Sequence, residues 1–281
     1  MRGAPLKAAV VGHPIAHSQS PNIHGHWLEQ EGIAGSYEAI DIAPENFEDD
    51  IRALVAKGYQ GVNATVPHKE AALALADTVD ETAKRIGASN TLVFTGRKIE
   101  ARNTDAFGFW ENLAQGLSTV PKRAVVLGAG GAARAVLVAL QDQGVSDIIL
   151  ANRTLSRAQG LADELSFFAT IEAMTWDDAE ALLDREAVPL VVNTSSRGMK
   201  GENPITCALA AQTAETLVHD IVYNPLETTL LATARERGCK TVDGLGMLLH
   251  QARPAFEAFF NKPVEVDHGL RFKIERAMGL V

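Results

Sequence analysis

In Asn63-Ala64-Thr65-Val66-Pro67-His68-Lys69 a lysine follows a short strand and a proline. Strand alternation sets Asn63 and Thr65 on one face, and Pro67 suits the first position of the helix that follows. Lys69 then falls in the first helical turn, where the macrodipole disfavours a cation and is expected to lower the amine pKa. A lysine pushed towards neutrality can move a proton in a transition state. The plain alternative is a surface lysine, and position alone favours neither.

Other polar residues have local readings. Asp105 in Asn103-Thr104-Asp105 suits a helix N-cap, and Ser20 before Pro21 reads as an Ncap-N1 pair, whereas Ser18 has no such local role. Asn90 could simply start a strand, and Tyr223-Asn224-Pro225 could simply turn the chain. Met247 and Gln251 lie four apart on one helical face, a spacing that most often means packing. His24 and His26, two apart on a helix, diverge, so no metal is assigned to them.

A second chemistry sits in Arg123-Ala-Val-Val-Leu-Gly-Ala-Gly-Gly-Ala-Ala-Arg134, a buried strand, a glycine turn and a helix. Gly128 suits the tight turn, Gly130 lets backbone N–H groups approach a pyrophosphate, and Ala133 permits close helix-to-strand packing. The helix that follows points its positive end at the phosphates. A tight turn that binds nothing is the alternative. The context weighs against it: a helix over Ala132–Gln143 stops at Gly144, a strand over Asp147–Ala151 follows, and a third apolar run, Leu190–Asn193, comes after another helix. About 20 residues past the glycines, an Asp or Glu would bond the ribose 2′-OH of NAD. Here the chain reads Asn152-Arg153-Thr154, with Arg157 just beyond. Two guanidiniums offer forked donors to a 2′-phosphate, so NADP is expected rather than NAD.

Composition frames both sites. The 281 residues, with 46% hydrophobic and 22% charged side chains, suit two globular domains better than one core. A net charge of −9 argues against nucleic acid or an anionic membrane surface as partner, so anionic ligands must be held by local donors. Cys207 and Cys239 lack metal-ligand spacing and suggest no disulfide framework. No signal-peptide pattern or bilayer-length apolar run is evident, and the cytoplasm is the expected compartment.

The elements that must position these residues alternate. Strands are expected at Lys7–Val11, Ser36–Ile42 and Tyr59–Val66, with helices at Pro21–Glu31 and Glu45–Lys57 and a hairpin joining Ser89–Phe94 to Lys98–Ala101. Phe107, Trp110, Leu113 and Leu117 recur at helical spacing and lead into the nucleotide domain, which continues through Leu217–Val222 and Thr241–Val242. Beyond Gly244 the stripe Leu248, Ala252, Phe256, Phe259 predicts a helix that Pro254 kinks or splits, and a last helix runs over Gly269–Met278. The expected fold is α/β: a substrate domain over 1–105, a Rossmann-type domain over 106–246, and terminal helices, 247–281, returning to the first domain. A cleft between the two is the expected site.

Taken together the motifs resemble the shikimate dehydrogenase family over nearly the whole chain. They run in the family's order: His17-Ser18-Gln19-Ser20-Pro21, Asn63 to Lys69, Gly87 to Leu92, Asn103-Thr104-Asp105, Gly128 to Arg134, Asn152-Arg153-Thr154, Tyr223 to Thr228 and Asp243 to Leu248. The resemblance implies NADPH-dependent, reversible reduction of 3-dehydroshikimate to shikimate, in aromatic amino-acid biosynthesis. It gives Ser18 and Ser20 to the substrate carboxylate. Thr65, Asn90, Asp105, Tyr223 and Gln251 go to the carboxylate or ring hydroxyls, and Lys69, paired with Asp105, to catalysis. On the cofactor side it implicates Gly128, Ala129, Gly130, Gly131 and Ala132, then Asn152, Arg153, Thr154 and Arg157, with Thr194, Ile221, Gly244 and Met247 at the nicotinamide end. Ala64, Arg102, Ala106 and Arg197 depart from the usual pattern, but none removes a donor the chemistry needs. A quinate/shikimate dehydrogenase of relaxed specificity, a paralogue acting on an amino-substituted analogue and a silent NADP sensor are the rivals; a homodimer is left open.

Overall fold

The computed structural model describes residues 5–167 and 169–281. The chain divides into two compact units, one running to Thr104 and resuming at Leu249, the other spanning Asp105–Leu248.

The first unit is built on β1 (Leu6–Gly12), α1 (Ser20–Gln30), β2 (Gly35–Asp41), α2 (Phe47–Ala56), β3 (Gly61–Ala64), α3 (Lys69–Leu75), β4 (Thr78–Val79), α4 (Glu81–Ile86), β5 (Thr91–Thr95) and β6 (Lys98–Arg102). Its sheet has the order β2-β1-β3-β5-β6-β4. β1 pairs in parallel with β2 and β3, while the hairpin β5–β6 enters antiparallel to β3. Parallel strands covered on both faces must be apolar throughout, and Ala8–Val11 are all buried. On one face Ile42, Phe47, Ile51, Leu54, Val62, Leu92 and Ile99 form a core.

The second unit holds α5 (Asp105–Ala114), β7 (Arg123–Leu127), α6 (Gly131–Asp142), β8 (Asp147–Asn152), α7 (Leu155–Leu165), β9 (Thr170–Thr175), α8 (Trp176–Leu183), β10 (Leu190–Asn193), β11 (Leu217–Asp220), α9 (Thr229–Glu236) and β12 (Lys240–Val242). The order β12-β11-β10-β7-β8-β9, parallel throughout, is the doubly wound arrangement whose strand order reverses between β7 and β10. Sequence reading missed β9. In this edge strand only Ile171 is buried, so the apolar run that betrays a central strand is lacking.

The chain returns through α10 (Leu245–His250), in which the division between units falls, to α11 (Ala252–Phe260) and α12 (His268–Ala277) in the first unit. The expected split occurs, but at Gln251 rather than at Pro254. Proline crowds the carbonyl four residues earlier, here His250, and α10 ends at that residue. Pro254 is left in the first turn of α11, where it is tolerated. In α5 the buried face is Ala106, Phe109, Asn112 and Leu113. Phe107 is exposed, Trp110 only partly buried and Leu117 beyond the helix, so the expected stripe was misaligned.

Candidate active site

In the first unit, strand register gathers the site. Val11 lies opposite Ala64, so β1 and β3 end side by side, and Asn63 opposite Thr91 brings the start of antiparallel β5 to the same end. Backbone bonds lock the junction: Thr65 N donates to Val11 O at 3.0 Å, Ala64 N to Asn90 O at 2.9 Å and Ser89 N to Lys69 O at 2.9 Å. Thr65, Lys69 and Asn90 therefore lie at one end of the sheet, where its interior strands β1, β3 and β5 meet.

A buried polar chain runs through this end of the sheet. Tyr37 OH donates to Asn63 Oδ1 at 2.6 Å. Asn63 Nδ2 reaches Asn90 O at 3.1 Å and Thr91 Oγ1 at 2.9 Å. Asn90 Oδ1 accepts from Thr104 N at 2.9 Å, while Asn90 Nδ2 lies 2.9 Å from Thr104 Oγ1 and 3.5 Å from Gln251 Oε1. Burial raises the Tyr37 phenol well above its ordinary pKa, with the nearby Ser20 pulling back in part. His24 stacks on Tyr37 with centroids 3.9 Å apart, and burial lowers its pKa to about 3. Sequence reading did not single out Tyr37 or Thr104. The available signal was Asn63, a polar residue inside an otherwise apolar strand.

Several local expectations shift by a residue. Lys69 is the first residue of α3, but His68 is its N-cap and Pro67 lies before it. Ser20 is inside α1, with Gln19 at the cap, and Ser18 does have local work, its Oγ accepting from Ser20 N at 3.3 Å. Asp105 is the first residue of α5 rather than its N-cap. Gln251 sits between two helices, so it shares no helix with Met247.

In the second unit, Gly128 turns out of β7 at φ +109°, and an added Cβ would lie 2.9 Å from Thr194 Oγ1 and 3.0 Å from Ser195 N. Thr194 Oγ1 donates to the carbonyls of Leu127 and Gly128, both at 3.0 Å. At Gly130 and Gly131 an added Cβ meets nothing within 4 Å, leaving open space at the start of α6. Asn152, the last residue of β8, accepts from Ala129 N at 3.3 Å and donates to Thr154 O at 2.9 Å. Arg153 and Arg157 lie just beyond it, exposed. An open glycine cradle flanked by two guanidiniums fits an anionic dinucleotide carrying an extra phosphate. At the other end of the site Gly244 N donates to Val222 O at 3.3 Å, and a Cβ there would fall 2.1 Å from Ile221 O. Only glycine allows that approach. Tyr223 is mostly buried, which raises its phenol pKa.

The sequence pattern of the shikimate dehydrogenase substrate binding domain matches residues 10–92, and that of shikimate / quinate 5-dehydrogenase matches residues 112–233. The shikimate dehydrogenase (NADP(+)) of Methylobacterium radiotolerans is 51% identical over 98% of each chain. The chain belongs to the shikimate dehydrogenase family. Within this family, shikimate 5-dehydrogenase from Thermus thermophilus, solved with NADP(H) and shikimate, superposes with a TM-score of 0.85 at 37% identity, covering 97% of this chain and 99% of that one. Quinate dehydrogenase from Corynebacterium glutamicum, solved with NAD, gives 0.89 at 30% identity over 97% and 99%. The likeness to the family thus spans both units, and the α/β fold with a substrate domain and a Rossmann-type domain is that of its solved members.

Proposed function

We propose that the chain catalyses the reversible reduction of 3-dehydroshikimate to shikimate with NADPH, in aromatic amino-acid biosynthesis. The observation that carries this reading is the gathering of Thr65, Lys69, Asn90 and Gln251 at one end of the first unit's sheet, with Ser18 and Ser20 on the stretch that follows β1. Hydroxyls, amides and one ammonium in that arrangement suit a carboxylate on a polyhydroxylated ring. Ser18 and Ser20 hold the carboxylate; Thr65, Asn90, Asp105, Tyr223 and Gln251 share it and the ring hydroxyls.

NADPH supplies a hydride to the ring carbonyl carbon. Lys69 delivers a proton to the carbonyl oxygen, or stabilises the developing alkoxide by its charge, and the reverse reaction returns both. Asp105 acts with Lys69 as one functional unit. Gly128 to Ala132 cradle the pyrophosphate, Asn152 and Thr154 shape the adenosine end, and Arg153 and Arg157 hold the 2′-phosphate. Thr194, Ile221, Gly244 and Met247 line the nicotinamide end.

Among the described residues no helix is long and apolar enough to cross a membrane, and the reading places the enzyme in the cytoplasm, acting on a small molecule. A homodimer belongs to the same reading and is tested by sedimentation velocity. Initial rates with shikimate and with quinate, each with NADP and NAD, test the function. Shikimate with NADP should be strongly preferred. Quinate carries an extra hydroxyl on the carboxylate-bearing carbon, and comparable rates on it would favour a quinate/shikimate dehydrogenase of relaxed specificity.

A further inference from the structure

Two buried polar residues outside the candidate set tie together the loops that carry Thr194, Ile221 and Tyr223. Asn193 ends β10 and Asp220 ends β11, directly opposite each other in parallel register, and both are wholly buried. Asp220 Oδ1 accepts from Asn193 Nδ2 at 2.8 Å and from Val222 N at 3.0 Å; its Oδ2 accepts from Thr228 Oγ1 at 2.7 Å. Thr228 is also the N-cap of α9. On the other side, Asn193 Oδ1 accepts from Ser195 N at 3.0 Å and from Ser195 Oγ at 2.7 Å, and Asn193 Nδ2 lies 3.2 Å from Arg197 O.

A carboxylate taken wholly out of water is expensive unless donors surround it, and here they come from three separate segments. One side chain therefore fixes the end of β10, the turn after β11 and the start of α9 relative to one another. Arg197 adds a strap. Its guanidinium lies 4.7 Å above the Trp176 ring and donates to Pro204 O at 3.0 Å. Lys200 N then donates to Asn224 O at 2.9 Å, joining the 194–205 loop to the 221–228 loop.

We propose that Asp220 and Asn193, with Arg197 as a latch, are positioning residues that hold these two loops in register for hydride transfer. This rests on the reading of Thr194 and Ile221 as nicotinamide-lining. The nicotinamide carbon must approach the substrate carbonyl within a fraction of an ångström, so loosening the loops slows the chemical step more than it weakens binding of the dinucleotide, whose phosphates are held at the glycine turn. In Asp220→Asn the oxygen facing Asn193 and Val222 survives, but an NH2 replaces the acceptor of the Thr228 hydroxyl. The 221–228 loop should loosen first.

The test uses the full chain and two variants, Asp220→Asn and Arg197→Ala, the second altering a partly exposed side chain. Three quantities are read: kcat and its primary isotope effect with NADPH deuterated at the transferred position, the Kd for NADPH from its fluorescence without substrate, and amide hydrogen exchange of the free protein. Asp220→Asn should lower kcat on the order of tenfold to a hundredfold and raise the isotope effect, with Kd changed by less than roughly threefold. Exchange should quicken selectively over 221–228, and in Arg197→Ala over 194–205 with a severalfold lower kcat. Normal turnover in both variants overturns the proposal, and so does a loss of kcat accompanied by uniformly faster exchange throughout the unit, which marks a merely structural role. Failure of the unaltered chain to reduce 3-dehydroshikimate sinks the functional reading instead, and the exchange pattern still decides whether the hub holds the loops.

Discussion

At the scale of single residues, Lys69 stands at the start of a helix, an unfavourable place for a cation, which points to a use other than stability. If it moves the proton or stabilises the alkoxide, its contribution is made in the transition state. Lys69→Ala should lower kcat by on the order of 10² to 10⁴ while the Kd for NADPH stays close to that of the unaltered enzyme. A normal kcat with a raised KM would make Lys69 a binding residue only. Asp105→Asn should also slow turnover but raise the substrate KM more, and the double variant should lose less than the two losses combined. Arg153 and Arg157 are exposed, so on the proposed reading water would screen any contact they make with a 2′-phosphate. Replacing either with Ala should weaken NADP use by roughly 1.5 to 3 kcal/mol, nearer the lower figure for exposed groups, with NAD unaffected. Steady-state kinetics with both dinucleotides decides it; equal losses with the two would remove the phosphate contact.

At the scale of elements, the strand-turn-helix of β7 and α6 separates fold from binding at neighbouring glycines. Gly128 has a positive φ and no room for a Cβ, whereas Gly130 has an extended backbone and open space around it. Gly128→Ala should lower both the Tm and the affinity for NADPH. Gly130→Ala should leave the Tm within a degree or two but weaken NADPH binding at least tenfold, because only the bound pyrophosphate needs the space. Calorimetry and fluorescence titration on the two variants separate these outcomes, and equal destabilisation by both would refute the distinction. The site in the first unit depends on register in the same way: a slip of one residue between β3 and β5 would turn Asn63 away from Asn90 and break the polar chain.

At the scale of the whole molecule, each unit buries a histidine that must stay neutral. Burial lowers His24 in the first unit to about 3 and His219 in the second to about 4, from the usual 6.5. With the folded pKa below the unfolded one, the unfolded chain binds more protons between about pH 4 and 6.5, so stability rises with pH across that window and is lost on acidification. At pH 5 each histidine should cost about 2 kcal/mol relative to pH 8. The raised carboxyls of Asp80 and Asp220 pull the other way nearer pH 4. His24→Phe keeps an aromatic ring on Tyr37 and removes one titration, so its calorimetric Tm should fall less between pH 7.5 and pH 5 than that of the unaltered chain. An identical fall would assign the acid sensitivity elsewhere.

The amino-acid order by itself determined what local chemistry enforces: the apolar runs of β7, β10 and β11, the glycine turn with Asn152-Arg153-Thr154 after β8 in place of an acidic residue, and the motif series that marks the family. It also offered the polar candidates, whose own local readings were caps, turns and packing and whose substrate roles came from the resemblance to the family. Tertiary structure decided what those side chains touch. Asn63 joins Tyr37 to Asn90 only because β1, β2 and β3 pair in one register, and Asn193 meets Asp220 only because β10 and β11 end level. Helix starts moved by a residue at Ser20 and Asp105, and the break fell at Gln251 rather than Pro254, because a helix boundary reflects competition among several nearby backbone bonds. The edge strand β9 stayed illegible for a related reason: only one of its six residues is buried, so its pattern lacks the apolar run that a buried strand must have.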